Sequence, residues 1–214
     1  MTKENKARLI GAAFIGVVII TLVSVAYNMT RNNMAEPRLP SYGPRDEMNN
    51  AHKISDFSLI DQTGSKVSKE TFDGEIFVAN FFFATCTGIC PRMNGNLKKV
   101  YNIFEKDSGI MFISHTVNPE EDSVSVLSDY ANSLGANDNK WKFVTGDKKQ
   151  IYELARESYL AAAGEGDGGA EDFLHTQNLV LVDKDFEIRG YYDGTDSLAV
   201  LNLIKDIYKL KKEK

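Results

Sequence analysis

The sequence is poor in cysteine and has no surplus of positive charge. Its 214 residues include only two cysteines, which excludes a disulfide-rich scaffold, a four-cysteine zinc site and an iron–sulfur cluster. Lysine and arginine number 25 against 30 aspartates and glutamates, giving a formal net charge of −5 at pH 7. Because neutralising phosphates requires a basic surface, we expect no nucleic-acid partner. A chain of this length can nevertheless bury a core without disulfides.

One long segment near the N-terminus carries no charge. Leu9–Tyr27 has nineteen residues without charge or proline, and as a helix it would span about 28 Å, close to the hydrocarbon thickness of a bilayer. Lys3, Lys6 and Arg8 precede it. By the positive-inside rule we predict residues 1–8 in the cytoplasm and the rest of the chain outside. The sequence thus predicts a single-pass transmembrane helix over residues 9–27 of the cytoplasmic (inner) membrane, with the domain on the periplasmic side.

Two alternatives to an uncleaved anchor remain. Ser24-Val25-Ala26 offers a small-x-small cleavage site, so the segment would also suit a signal peptide, although its apolar run exceeds the usual length of about 7–15 residues. A buried helix of a soluble protein is the third interpretation, and an all-round apolar helix at a terminus argues against it.

The next segment, Asn28–Lys53, is polar and rich in proline. It contains three of the five prolines of the chain and no apolar run. This composition is typical of a tether, which we predict over residues 28–53. The composition changes at Ile54, where we place the start of a folded domain covering residues 54–214.

Strand-like and helical patterns alternate from Ile54 onward. The β-branched and aromatic run Ile76–Phe83 is almost continuous, as in a strand buried on both faces. Cys86 to Asp107 has a helical period, and a hairpin over Leu179–Tyr192 precedes an amphipathic helix over Leu198–Leu210. The other predicted strands and helices are Phe57–Ile60, Ile110–Val117, Ser123–Leu134, Trp141–Val144 and Asp147–Leu160. This order predicts an α/β domain with a mixed β-sheet flanked by helices.

The two cysteines lie within five residues of each other, after the predicted buried strand and at the start of a helix. The segment reads Thr85-Cys86-Thr87-Gly88-Ile89-Cys90-Pro91. A helix N-terminus lowers the pKa of a thiol, because backbone N–H groups and the helix dipole favour the thiolate. The spacing allows the two sulfurs to form a redox-active disulfide or to share a metal ion, and both interpretations stay open. Two small buried residues that merely lie close together are the least favoured alternative.

The three histidines differ in their surroundings. His175 follows the glycine- and acid-rich loop Ala161–Asp172 and precedes a strand that starts at Leu179. In an α/β fold of this type that strand begins beside the cysteine-bearing helix, so His175 can reach the sulfurs. A structural histidine is an equal alternative. We expect His115, at the end of a predicted strand, to pack in the core, and His52, in the predicted tether, to be solvated.

Taken together, these motifs resemble the Sco/SenC family. The motifs that carry the resemblance are Phe81-Phe82-Phe83, Thr85-Cys86-x-x-x-Cys90-Pro91, Val117-Asn118-Pro119-Glu120-Glu121-Asp122, Val144-Thr145-Gly146, Phe173-Leu174-His175-Thr176 and Leu179–Asp183. They occur in order between about Ile54 and Leu210. The resemblance implies a thioredoxin-like fold, one N-terminal membrane anchor, and copper bound by Cys86, Cys90 and His175.

The same resemblance implies a biological role and partners. It implies a copper chaperone that delivers copper to the dinuclear copper site of cytochrome c oxidase during assembly, with the copper-site subunit of the oxidase as the partner. Other copper chaperones or thiol reductants are further candidate partners, and we expect a monomer. The sequence departs from the family in the loop Thr87-Gly88-Ile89, where relatives commonly carry an acidic residue, and at Asn118, where they often have aspartate. These departures remove charge but no metal ligand.

The donor set favours copper over zinc. Structural zinc sites prefer four protein ligands, and this chain offers three in one place. Two thiolates and an imidazole can hold either copper valence. We expect oxidation of Cys86 and Cys90 to a disulfide to abolish the site, so the redox state of the pair would gate copper binding.

An exported thiol–disulfide oxidoreductase that uses Cys86 and Cys90 is the alternative function. Ordinary thioredoxins place a cis-proline beside the dithiol, where it keeps metals away, but this chain has no proline after Pro119. That absence favours metal carriage over generic disulfide exchange. A thiol peroxidase is a weaker third candidate, because the segment before Cys86 lacks the proline-containing motif of those enzymes.

Overall fold

The computed structural model describes residues 3–33, 38–162, 169 and 172–213. The chain divides into two compact units, Met1–Arg38 and Leu39–Lys214. The first unit is a helix, α1, over Lys3–Asn33, which includes all of the uncharged segment. Within the part of the chain that is described, no helix has the combined length and apolar character that crossing a membrane requires. The transmembrane anchor and the cytoplasmic position of residues 1–8 therefore stay predictions.

The second unit is a seven-stranded sheet with helices packed on it. The strands are β1 Ser58–Asp61, β2 Lys66–Ser68, β3 Ile76–Phe82, β4 Ile110–Thr116, β5 Trp141–Thr145, β6 Asn178–Val182 and β7 Ile188–Asp193. The helices are α2 Cys90–Phe104, α3 Val124–Leu134, α4 Lys148–Glu153 and α5 Ser197–Leu210, with a 3₁₀ turn at Lys69–Phe72 and a π turn at Leu154–Ser158. The strand order is β2-β1-β5-β4-β3-β6-β7, in which β3, β4 and β5 are parallel and the remaining pairs antiparallel. The predicted mixed sheet flanked by helices is confirmed.

Strand β3 lies inside the sheet, between β4 and β6, and every one of its residues is buried. Its side chains alternate between two hydrophobic cores: Val78 and Phe82 face one, and Phe77 and Phe81 face the other. Burial on both faces explains why this segment reads as a continuous apolar run. The strand ends directly before the loop that carries the cysteines, so the sheet fixes one side of the candidate site.

A chain of hydrogen bonds between side chains connects the sheet to α2 and α3. Trp141 Nε1 donates to Ser114 Oγ at 2.9 Å, and that hydroxyl donates to Asn80 Oδ1 at 2.5 Å. Asn80 Nδ2 then donates to Asn94 Oδ1 at 2.8 Å, and Asn94 Nδ2 donates to Tyr130 Oη at 2.8 Å. Because the low dielectric of the interior strengthens such bonds, this series of hydrogen bonds holds α2 in a fixed position on β3.

The predicted tether differs from the structure at its C-terminal half. The folded unit begins at Leu39 rather than Ile54, and Leu39 packs against the core on one side of the sheet. Arg189 on β7 donates to the carbonyl oxygens of Leu39 at 2.6 Å and Pro40 at 3.2 Å. Arg189 also forms an ion pair with Glu213 at 2.6 Å. The hydrogen bonds to Leu39 and Pro40 use backbone oxygens, so the polar composition of the segment did not predict them.

Two further contacts attach the same segment. The N–H of Tyr42 donates to the carbonyl of Ile188 at 2.8 Å, which extends the edge of the sheet by one bridge. His52, which we expected to be solvated, is half-buried, and its Nε2 lies 2.7 Å from the carbonyl oxygen of Ser158. Since a carbonyl can only accept, Nε2–H is the donor. The expectation for His52 was wrong because the segment folds back onto the domain.

Candidate metal centre

The cysteines lie where the central strand passes into a helix. Cys90 is the first residue of α2, Pro91 occupies its first turn, and Cys86 lies in the preceding loop. Cys86 is half-buried and Cys90 is buried, and both are free thiols. The predicted placement at a helix start is confirmed, and the proline is tolerated because first-turn N–H groups lack intrahelical partners.

The surroundings of the two thiols shift their pKa values in opposite directions. Burial opposes ionisation of Cys86, but hydrogen bonds from the Cys90 thiol and from the backbone N–H groups of Cys90, Gly88 and Ile89 outweigh it and lower its pKa. Burial raises the pKa of Cys90 to about 12, and donation of its S–H to Cys86 adds to the effect. Of the two thiols, the half-buried Cys86 is therefore the one that ionises more readily, and the buried Cys90 is the proton donor in the hydrogen bond between them.

A cavity of about 390 Å³ contains both thiols and the predicted third ligand. Its lining residues are Phe81, Phe82, Phe83, Thr85, Cys86, Thr87, Gly88, Ile89, Cys90, Val117, Leu174, His175 and Thr176. The structure thus brings Cys86, Cys90 and His175 into one cavity. Over the described ranges, however, no three cysteine, histidine or acidic side chains are grouped closely enough to hold a metal ion. The three predicted ligands share the cavity without forming a closed coordination shell.

His175 is exposed at the mouth of this cavity. Its ring packs on Phe173 at 4.9 Å between centroids, and Phe173 contacts Phe83 edge to face at 5.2 Å. The loop that precedes it was predicted from its glycines and acids, and residues 163–168, 170 and 171 of that loop lie outside the described residues. Where its chain returns to β6, Thr176 Oγ1 donates to the carbonyl of Ala161 at 2.7 Å, which fixes the base of the loop.

A buried carboxylate anchors the loop that carries the thiols. Asp122, fully buried, accepts from the backbone N–H of Ala84 at 3.0 Å and from the hydroxyl of Thr116. In the same connection after β4, the N–H of Val117 donates to the carbonyl of Phe82 at 2.8 Å. In the sequence, Asp122 is recognisable only as part of a motif, because a single acid in a polar loop does not indicate that it will be buried.

His115 lies in the core, as predicted. It is fully buried and stacks on Phe81 at 4.8 Å between ring centroids. Its Nδ1 lies 3.4 Å from the carbonyl of Asn80, while Nε2 has no hydrogen-bond partner among the described residues. Burial lowers its pKa to about 3. Neither His115 nor His52 lines the cavity of the thiols.

The fold and the site define a class of protein. A mixed sheet whose central strand leads into a CxxxC helix start, beside a loop that bears a histidine, is a thioredoxin-like dithiol domain. The family model described as SCO1/SenC matches residues 45–211. The chain belongs to the SCO1/SenC family.

Individual relatives agree with this assignment. The chain is 27% identical over 165 residues to the SCO1 protein homolog of Bacillus subtilis (strain 168), covering 76% of this chain and 84% of the relative. The solved structure of BsSco, a member of the Sco family of cytochrome c oxidase assembly proteins for which a disulfide switch is described, is 27% identical. It superimposes with a TM-score of 0.64 over 76% of this chain and 95% of that chain. Bradyrhizobium japonicum ScoI with copper bound has a TM-score of 0.56 at 22% identity, covering 72% of this chain and 98% of that chain, and it shows the shared fold.

Proposed function

We propose that this protein is a copper chaperone of cytochrome c oxidase assembly, which binds copper through Cys86, Cys90 and His175. In this proposal it delivers copper to the dinuclear copper site of the oxidase, whose copper-site subunit is the partner. The observation that carries the proposal is the shared cavity, which both thiols and the imidazole of His175 line. The membership in the SCO1/SenC family and the copper-bound B. japonicum relative support it.

The chemistry of the three side chains suits copper as a cargo. Soft thiolates select Cu(I), and an imidazole also suits copper. Cys86 already has a lowered pKa, whereas the raised pKa of Cys90 means that this thiol must release its proton when the metal binds. His175 is exposed and both thiols open into the same cavity, so an acceptor can approach and exchange ligands one at a time. A carrier needs this access, which a fully enclosed site would deny.

We also propose that residues 9–27 anchor the protein in the cytoplasmic membrane, with residues 1–8 in the cytoplasm and the domain on the periplasmic side. The support is the uncharged segment itself and the three basic residues that precede it.

Copper competition with a chromophoric Cu(I) chelator tests the ligand set. His175→Ala removes the nitrogen ligand and leaves both thiols in place, so Cu(I) affinity should fall by more than the roughly 10–100-fold typical of changes outside the ligand set. Cys86→Ser and Cys90→Ser should weaken binding at least as much. His52→Ala is the matched control, because His52 lies outside the cavity, and it should bind copper like the parent. A His175→Ala variant with the parent's affinity would show that the three-ligand site is wrong.

A thiol–disulfide oxidoreductase is the second candidate, and the opposed pKa shifts of the two thiols favour it. In such a reaction the Cys86 thiolate attacks a substrate disulfide and forms a mixed disulfide, releasing one substrate thiolate. Cys90 then displaces the second substrate thiolate, so the substrate gains two electrons and Cys86–Cys90 becomes a disulfide that an external dithiol must reduce. If the protein is an oxidoreductase, His175→Ala should leave the rate of substrate reduction nearly unchanged. Either Cys86→Ser or Cys90→Ser should abolish turnover.

A further inference from the structure

The hydroxyl of Tyr152 connects two of the segments that line the thiol cavity. Tyr152 lies on α4 and is buried. Its hydroxyl donates to the carbonyl oxygen of Val117 at 2.9 Å and lies 3.4 Å from the backbone N of Leu174, whose N–H it accepts. Val117 and Leu174 both line the cavity, and Leu174 immediately precedes His175.

We infer that Tyr152 is a positioning residue that holds Leu174, and with it His175, at the cavity that the two thiols line. The inference rests on the proposed function, in which His175 is a copper ligand. Tyr152 itself does not line the cavity. It acts through the backbone next to His175, and so it orders the imidazole without touching the metal.

The fixed end of this connection belongs to the central sheet. Val117 follows β4 and is buried, and its N–H donates to the carbonyl of Phe82 at 2.8 Å. Phe82 is the last residue of β3 and also lines the cavity. The sheet is therefore connected to Leu174 through the backbone of Val117 and the phenol ring of Tyr152. No long flexible side chain takes part in this connection.

At the other end of the connection, the backbone of Leu174 needs a hydrogen-bond acceptor. Phe173 and His175 are both exposed, and Leu174 between them is buried. A backbone N–H buried at this point requires an acceptor, because leaving it unpaired costs about 1–3 kcal/mol. The Tyr152 hydroxyl supplies that acceptor, and it fixes the backbone one residue before the imidazole.

Neighbouring groups hold the phenol in place. The Arg156 guanidinium lies over the Tyr152 ring at 5.4 Å, and it also makes two hydrogen bonds of 2.7 Å to the carboxylate of Asp172. Asp172 lies three residues before His175, so Arg156 gives the ring a second connection to the segment that leads to His175. Burial raises the pKa of Tyr152, and its hydroxyl thus keeps the proton that it donates to Val117.

Tyr152→Phe tests the inference, since it removes the hydroxyl and keeps the ring. Amide hydrogen exchange at Leu174 and His175 should become faster in the metal-free protein, and Cu(I) affinity should fall by about 10–100-fold, the range for residues that orient a ligand. The reduction potential of the dithiol should stay at the parent value. Tyr101→Phe is the matched control: Tyr101 is also buried and its hydroxyl also bridges two groups, Asn137 N–H at 3.0 Å and Glu105, but away from the cavity. The control should leave Cu(I) affinity unchanged.

The double variant separates this inference from the proposed function. Once His175 is Ala, Tyr152→Phe should cause no further loss of Cu(I) affinity, because its effect passes through the imidazole. An equal loss with and without His175 would overturn the inference, as would unchanged copper affinity in Tyr152→Phe when His175→Ala is strongly weakened. A His175→Ala variant that binds copper like the parent would instead refute the ligand set on which both proposals rest.

Discussion

Asp122 accepts a hydrogen bond from the backbone N–H of Ala84 at 3.0 Å, two residues before Cys86. The carboxylate is fully buried and also accepts from the hydroxyl of Thr116 at the end of β4. Its second oxygen has no hydrogen-bond partner among the described residues. One buried acid thus joins the loop after β4 to the loop that presents the thiols. Its removal should therefore destabilise both loops.

Asp122→Ala should reduce the free energy of unfolding by about 1–3 kcal/mol, because it leaves the half-buried Ala84 N–H and the buried Thr116 hydroxyl without their acceptor. Asp122→Asn retains an oxygen that can accept from Ala84 and should cost less. Urea unfolding of a protein that starts at Leu39 measures both values. The neighbouring Glu121 is exposed, and Glu121→Ala should stay within about 0.5 kcal/mol of the parent. Equal effects of Asp122→Ala and Glu121→Ala would contradict the assigned role of Asp122.

The two thiols should differ in their reactivity towards alkylating agents. Cys86 has a lowered pKa and is half-buried, whereas the pKa of Cys90 is raised to about 12 and its side chain is buried. Because the thiolate is the nucleophile, iodoacetamide at neutral pH should modify Cys86 in the reduced, metal-free protein and leave Cys90 nearly untouched. Peptide mass spectrometry after short exposure identifies the modified residue. Cys90→Ser serves as the control, and preferential alkylation of Cys90 in the parent would show that the assignment is reversed.

Folding stability should depend on pH through His115. Burial lowers the pKa of His115 to about 3 in the folded state, while an unfolded chain has a histidine pKa of about 6.5. Between these values the unfolded state binds one more proton, so stability is complete above pH 6.5 and declines as the pH falls. Between pH 7.5 and 5.5 the loss from this group should be about 1.4 kcal/mol.

His115→Phe tests that pH dependence. The replacement keeps an aromatic ring against Phe81 and removes a nitrogen that has no hydrogen-bond partner in the described structure. Urea unfolding at pH 7.5 and 5.5 should show a smaller difference for the variant than for the parent. An unchanged difference would mean that other groups account for the dependence.

The segment before Ile54 should contribute to the stability of the domain. A protein that starts at Lys53 lacks the Leu39 packing contact, and the Arg189 guanidinium loses the carbonyl acceptors of Leu39 and Pro40. Its free energy of unfolding should be lower than that of a protein starting at Leu39 by about 2 kcal/mol or more, given two lost hydrogen bonds to a half-buried charged group. Thermal unfolding of the two proteins makes the comparison. Equal stability would indicate that residues 39–52 act only as a tether.

Local sequence patterns were sufficient to predict the strands and helices next to the site. The apolar run Ile76–Phe83 predicted β3, observed at Ile76–Phe82, because a strand buried on both faces leaves an uninterrupted signal. Two of the predicted helices start at Ser123 and Asp147, and in the structure each of these side chains accepts a hydrogen bond from a first-turn N–H, at 3.5 Å for Ser123 and 2.8 Å for Asp147. The predicted helix Asp147–Leu160 is shorter in the structure, since α4 ends at Glu153 and a π turn follows. Helical periodicity alone does not distinguish these two backbone forms.

The sequence by itself determined the candidate site residues: the only two cysteines, placed between a strand and a helix, and the histidine that follows the acidic loop. These signals are local, because they depend on residue type and on spacing along the chain. Only the tertiary structure revealed that Asp122 and Tyr152 fix the two loops of the cavity, and that the segment from Leu39 packs on the domain. Each of these hydrogen bonds joins a side chain to a backbone group far away in the sequence. Almost every residue has a backbone N–H and a carbonyl, so the residue type does not show which of these groups will be bound. Which distant group a side chain meets is decided by how the chain packs.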